Sequence, residues 1–353
     1  MLPLCKTYNS GMKNVLEDRR KLLRIAAVIL LLTPYLIYTG LAVYTDRGPI
    51  DYETFMNIGG QLLSGGEVYG ENSYYPMPFV IIFAAFAWLP RALSLALWLL
   101  MPVLAALYIS GSNPLVLLFA PVFGHFAGGQ SAVFAMLGLW GYRKHTQSDS
   151  AAGGVWLGLT MLKPQLGIVP LAFAAVGWWK ALRAEKRIPR QTWAFAATTA
   201  LIYLPGFLIM PDWPARWLNS PRPLFERALS GFVPRMLLYL FPDQTGAYWL
   251  VLGGIALLLF LGVWRLSRKQ VTLDLAVLWG FVVNPLVHDY DLIQLVPLLD
   301  PPRRMLSAVL LSLPGWLVIL LAYTNDTAWV VFTIIAPGVL GAVLWEMGKK
   351  EKL

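Results

Sequence analysis

One cysteine and three histidines in 353 residues exclude an internal disulfide and leave neither a thiolate cluster nor an obvious zinc set. Charge is scarce as well: 13% of the residues are Asp, Glu, Lys or Arg against 58% hydrophobic, far from the balance of a soluble domain. What fills the chain instead is a series of apolar runs near the ~20 residues that carry a helix across hydrocarbon, recurring from Leu22 to the last turn before Lys349. The runs do not alternate as barrel strands do, and helices satisfy their own backbone polar groups in lipid. The expected fold is therefore all-α, a polytopic integral membrane protein with about 10–13 transmembrane helices, several of them broken by Pro or Gly.

The net charge of +9 does not point to nucleic acid. Lys and Arg fall in short clusters between apolar runs, as topology demands. Arg19, Arg20, Lys21 and Arg24 precede the first run, which is too long and too late for a cleaved signal peptide and reads as a retained anchor. With that cluster in the cytoplasm, the clusters at 180–190, 265–269, 303–304 and 349–352 are cytoplasmic too. The layout is a basic cytoplasmic N-terminus over 1–21, one transmembrane unit over 22–347 with outer loops at 45–75 and 211–245, and a basic cytoplasmic tail over 348–353. A pair of short segments, Ala151–Leu162 and Gly167–Trp179, carries Lys163 to the outer side, and an even number of crossings separates Asp51 from Gln130. The segment Pro114–Phe126 either spans or re-enters.

Five polar clusters interrupt the apolar sequence. In "DYETFMNIGGQLLSGG" the spacing of Tyr52, Phe55, Met56, Gly59, Leu62 and Leu63 predicts an amphipathic helix in the first outer loop. Asp51 is there either a helix N-cap or a functional acid; Glu53, two residues on, faces elsewhere. Tyr75 precedes Pro76 and Pro78, which suit the first turn of a helix. "GGQSAVF" either packs helices through glycine or offers Gln130 to a sugar hydroxyl. In "LKPQLG", Lys163 either snorkels or binds an anion such as phosphate; left unrelieved at mid-membrane it would cost about 2.5–3.5 kcal/mol. Arg216, Arg222, Arg227 and Arg235 alternate with aromatic residues in the 211–245 loop, either as a solvated face or as a surface for anionic headgroups. "NPLVHDYDLIQLVPLL" carries His288, Asp289 and Asp291 between two apolar helices, as caps or as a functional cluster.

The order and spacing of "DYETFMNIGGQLLSGGEVY", "YYPMP", "GGQ", "LKPQLG" and "NPLVHDYDLIQLVPLL" resemble the GT87 family of polyprenol-phosphate-mannose-dependent alpha-mannosyltransferases, of the GT-C superfold, over about Asp51 to Leu299. Where the family commonly reads Tyr-Pro-Pro this chain has Tyr75-Pro76-Met77-Pro78, and Ala132 stands where Asn is common. The resemblance implies a GT-C fold in the cell membrane with an extracytoplasmic active site, a catalytic acid at Asp51 and a catalytic His288. Its donor would be a polyprenyl-phosphate sugar, its acceptor a lipid- or glycan-linked hydroxyl, with no metal and no other cofactor. Lys163 and the four loop arginines would then bind the donor phosphate, and Glu53, Tyr75, Gln130, Asp289 and Asp291 the substrates. Two other classes share the same broken helices and basic residues: a transporter or flippase of a lipid-linked sugar, and a non-catalytic assembly protein.

Overall fold

The structure is a computed structural model that describes residues 4–70, 75–220, 231–242, 246–321 and 328–349. Every regular element among the described residues is helical. Six helices are long and apolar enough to cross a membrane, or seven if one pair bent by 45° is a single span. This is the make-up of a multi-pass membrane protein.

Helix α1 (Leu4–Tyr44) is longer than the sequence pattern indicates, so Arg19 to Arg24 ride on the helix rather than precede it. Arg24 hydrogen-bonds the Gly111 and Ser112 carbonyls. About 20 residues further on, roughly 30 Å at helical rise, α1 ends beside α2 (Ile50–Ser64). These two points define the ends of the molecule.

Helix α2 buries Tyr52, Phe55, Ile58 and Gly59 along one stripe, with Leu63 on the exposed side. Its apolar face is closed by protein, chiefly α3 (Met77–Ala87). Phe55 stacks on Phe83 with ring centroids 4.4 Å apart. Gly59 permits the approach: a Cβ there would lie 2.4 Å from the Phe83 carbonyl carbon. The prolines open α3 as their positions suggest, Pro76 before its first residue and Pro78 in its first turn.

Helix α4 (Arg91–Ile109) runs back to the Arg24 end. The next segment, ambiguous in sequence, crosses the molecule in two pieces, a 3-10 turn at Pro114–Leu118 and α5 (Ala120–Gly128), and delivers Gln130 to Asp51. A break inside an apolar layer exposes backbone groups that need partners, and side chains supply them. Tyr35 Oη donates to the Leu117 carbonyl at 2.8 Å and Trp316 Nε1 to that of Leu118 at 2.7 Å, while Ser312 Oγ accepts from the Ala120 amide at 3.2 Å.

Helices α6 (Val133–His145), α7 (Ala151–Thr160), α8 (Pro164–Glu185) and α9 (Arg190–Ile209) follow, with α7 packed antiparallel to α6 and parallel to α9. Short α10 (Trp213–Asn219) and α11 (Phe232–Leu238) lead to α12 (Gly246–Leu266) and α13 (Leu273–Val283). The polar "HDYD" stretch then enters a ten-residue 3-10 helix, Asp289–Leu298, packed against α5 and α6. At about 2.0 Å per residue this form stretches ten residues over roughly 20 Å, which brings the chain to Arg304. The chain closes with α14 (Pro302–Leu311), α15 (Leu313–Leu320), a 3-10 turn at Ala328–Ile334 and α16 (Ile335–Lys349). The 45° bend lies between α14 and α15.

The end away from Asp51 is tied by charge. Arg143 grips Asp274 through two hydrogen bonds of 2.8 and 2.9 Å, Arg304 reaches Asp274 at 3.2 Å and Glu346 at 2.8 Å, and Arg303 reaches Glu346 at 2.7 Å. Arg143 on α6 and Arg303 and Arg304 on α14 thus meet the acids of α13 and α16 at one end of the molecule.

Two outcomes test this packing. Gly59→Leu should separate α2 from α3, costing about 1–3 kcal/mol, and lower the thermal midpoint of the purified protein. Gly60→Ala, at a neighbouring position where a Cβ meets nothing within 4 Å, should leave it nearly unchanged.

Candidate active site

Asp51 does not cap α2. The residue before the helix is Pro49, with no side-chain cap, so the carboxylate is free to turn inward, where its Oδ2 accepts from Gln130 Nε2. The meeting depends on the glycines of "GGQ". Gly129 has φ +67°, and a Cβ there would press on Tyr52 Cβ at 2.9 Å; its carbonyl accepts from Trp98 Nε1 at 2.7 Å. Packing and polar readings of that motif therefore hold together.

Glu53 faces away, as its spacing from Asp51 requires. It accepts from Arg91 at 3.0 Å and from the Gly48 amide at 2.6 Å, and Arg91 also binds Asp46. The second acid of the loop fastens α2 to the start of α4.

A cavity of about 320 Å³ lies beside Asp51. Asp51, Gln130, Asp289 and Tyr290 supply its polar lining, and Phe123, Val318 and Ile319 are among its apolar lining. Burial pushes the Asp51 carboxyl up to about 6, with the Lys163 ammonium pulling the other way. Burial likewise raises Asp289 to about 6. Tyr75, partly buried before α3, lies within electrostatic reach of Asp51 and Asp291.

Lys163 occupies the turn between α7 and α8, and it does not snorkel. It is 3% exposed and ion-paired with Asp291, which is fully buried. Three side chains fix that turn: Tyr203 Oη donates to the Met161 carbonyl at 2.7 Å, Asn284 Nδ2 to that of Gln165 at 2.7 Å, and Gln294 Nε2 to that of Leu166 at 3.3 Å. Asp291 also accepts from the His288 amide at 3.0 Å, and the Lys163 ammonium lies 5.0 Å from the Tyr290 ring centre. His288 stacks on Tyr290 with ring centres 4.7 Å apart. Its pKa falls to about 4, chiefly by burial, with Asp291 opposing and Lys163 assisting. At neutral pH the position offers a neutral imidazole.

The loop arginines are placed differently. Arg216 is exposed and paired with Asp212 at 2.8 Å and with Glu67 at 4.0 Å. Arg235 belongs to α11, whose leading Gly231 backs onto the Asn284 carbonyl. Arg222 and Arg227 lie outside the described residues. Among the described residues, no three His, Cys, Asp or Glu side chains converge as a metal site would require.

Two buried groups near the site carry little signal in the sequence. Tyr290 lines the cavity, yet it stands among charged neighbours that dominate the motif. His125, fully buried in α5, has no hydrogen-bond partner at either ring nitrogen and lies near enough to Lys163 to feel its charge. An ionisable residue five positions before Gln130 in an apolar run was the available signal.

No family model, curated protein or solved structure matches this chain.

The ion pair makes a sharp expectation. Asp291→Ala strands a buried ammonium and should destabilise the protein by about 3–5 kcal/mol, whereas the double variant Lys163→Met/Asp291→Leu should recover most of that loss; thermal unfolding of the purified proteins measures both.

Proposed function

We propose that this chain is an inverting GT-C glycosyltransferase of the GT87 type, with about 10–13 membrane crossings once its short and broken helices are counted. It moves a sugar, mannose by family resemblance, from a polyprenyl phosphate to an acceptor hydroxyl on the extracytoplasmic face of the cell membrane. The observation that carries this reading is the convergence of Asp51, Gln130, Asp289 and Tyr290 on one cavity, with the Lys163 ammonium near enough to act on the Asp51 charge.

In the proposed reaction the acceptor oxygen attacks the anomeric carbon while its proton passes to Asp51. The bond from that carbon to the phosphate oxygen breaks, and the electron pair leaves with the phosphate. A single base on the face opposite the leaving group gives inversion. Positioned proton removal contributes typically ~10²–10⁴-fold. A fixed cation near the departing phosphate stabilises charge that develops in the transition state, and Lys163, held by Asp291, supplies it. Gln130 orients the base through the hydrogen bond to Oδ2. Glu53, clasped by Arg91, is set aside as an alternative base.

A transporter of a lipid-linked sugar would need polar groups along a path through the protein. The charged side chains at the opposite end, Arg143, Asp274, Arg304 and Glu346, are paired with one another, which favours chemistry at one end over passage between two.

With synthetic polyprenyl phosphate-mannose and acceptors from a membrane lipid extract, Asp51→Asn should lower kcat by about 10²–10⁴-fold with KM little changed; unchanged turnover would remove Asp51 as base. The base works as the carboxylate, so protonation abolishes it. With Asp51 raised to about 6, kcat/KM should be flat above that value and fall about tenfold per pH unit below it. A profile flat down to pH 4.5 would contradict the assignment.

A further inference from the structure

The cavity is lined by two carboxylates and by no cationic side chain, and that charge balance bears on what fits there. Asp51 offers Oδ1, its Oδ2 being taken by Gln130 Nε2. The Asp289 carboxylate lines the same space. Gln130 is 2% exposed, and its Oε1 has no hydrogen-bond partner. Among the described residues no Lys, Arg or His side chain lines the cavity. The polar lining thus carries two carboxylates and an unpartnered amide oxygen, beside the second hydrogen of Gln130 Nε2 and the Tyr290 hydroxyl. The volume of about 320 Å³ is at the small end of ligand pockets, which run from about 300 to 1,000 Å³. That is the scale of a sugar ring and not of a polyisoprenyl chain.

We infer that this cavity is the acceptor subsite of the proposed transferase and that it takes an uncharged hexose ring presenting neighbouring hydroxyls, rejecting a ring that carries a carboxylate. The assignment rests on the transfer reading, because a base must lie within hydrogen-bond reach of the hydroxyl it deprotonates and Asp51 is in the lining. A donor phosphate, by contrast, wants the cation that the lining lacks. One hydroxyl meets Asp51, and adjacent hydroxyls donate to Asp289 and to Gln130 Oε1. Buried acceptors left unpaired disfavour a ligand without donors, and two carboxylates in a confined space repel a third. Phe123, Val318 and Ile319 accommodate the less polar part of the ligand. Asp289 is accordingly the specificity-determining residue, reading hydroxyls that do not react.

Binding can be followed without any transfer. The full-length protein in lipid nanodiscs is titrated, by tryptophan fluorescence or calorimetry at pH 7.5, with n-octyl hexopyranosides below their micellar concentration and with the matching n-octyl hexuronides, which differ by one carboxylate. The hexosides should bind saturably and the hexuronides at least about tenfold more weakly. In Asp289→Asn, checked for folding by its thermal midpoint, that ratio should shrink to about threefold or less, with hexoside affinity reduced. Absence of saturable hexoside binding, equal affinity for both ligands, or an unchanged ratio in folded Asp289→Asn each overturns the inference. Selective hexoside binding with no transfer from any polyprenyl-phosphate sugar would instead sink the transferase reading and leave a neutral-sugar subsite standing.

Discussion

The site depends on a lysine and an aspartate buried together. Either charge alone in that position would face a desolvation cost of several kcal/mol, so Lys163 and Asp291 are bound to meet wherever the chain permits. Their meeting fastens the turn between α7 and α8 to the start of the 3-10 helix Asp289–Leu298. Asp291 also holds the His288 amide, and the residues just before it, Asp289 and Tyr290, are then left to line the cavity beside Asp51. The pair serves first as a geometric constraint, and the fixed positive charge it leaves near Asp51 is a consequence of that constraint.

Broken helices supply the room for this arrangement. Pro114–Leu118 and α5 cross in two pieces, α14 and α15 meet at a bend, and the chain after α13 returns as a stretched 3-10 helix. Each break frees backbone groups that an apolar layer cannot solvate. Tyr35, Trp316 and Ser312 meet those of the first break, and Tyr203, Asn284 and Gln294 meet those of the turn between α7 and α8. Many polar side chains that look isolated in the sequence are thus spent on backbone, and one buried oxygen left over lines the cavity. That oxygen is Gln130 Oε1.

Ion pairing also sorts groups of like type. Of the two acids opening α2, Glu53 is neutralised by Arg91, whereas Asp51 meets an amide and stays close to a cation it does not touch. Sequence spacing separated the two acids onto different faces but did not identify the partner of either, because Arg91 and Gln130 lie far along the chain. The same limit applies to Lys163, for which snorkelling and anion binding were equally legible, and pairing with Asp291 was not among the readings.

A helical membrane protein, the register of α2, the opening of α3 at Pro76 and the basic clusters between apolar runs are all legible in neighbouring residues. Such features follow from hydrophobic period, proline geometry and net local charge, all of which act over a few residues. Which charges neutralise one another, that the segment after Ser112 crosses the molecule, and how deeply His288 is buried are matters of folding. Pairing, burial and local dielectric belong to contacts between distant segments, and no window of neighbouring residues contains them.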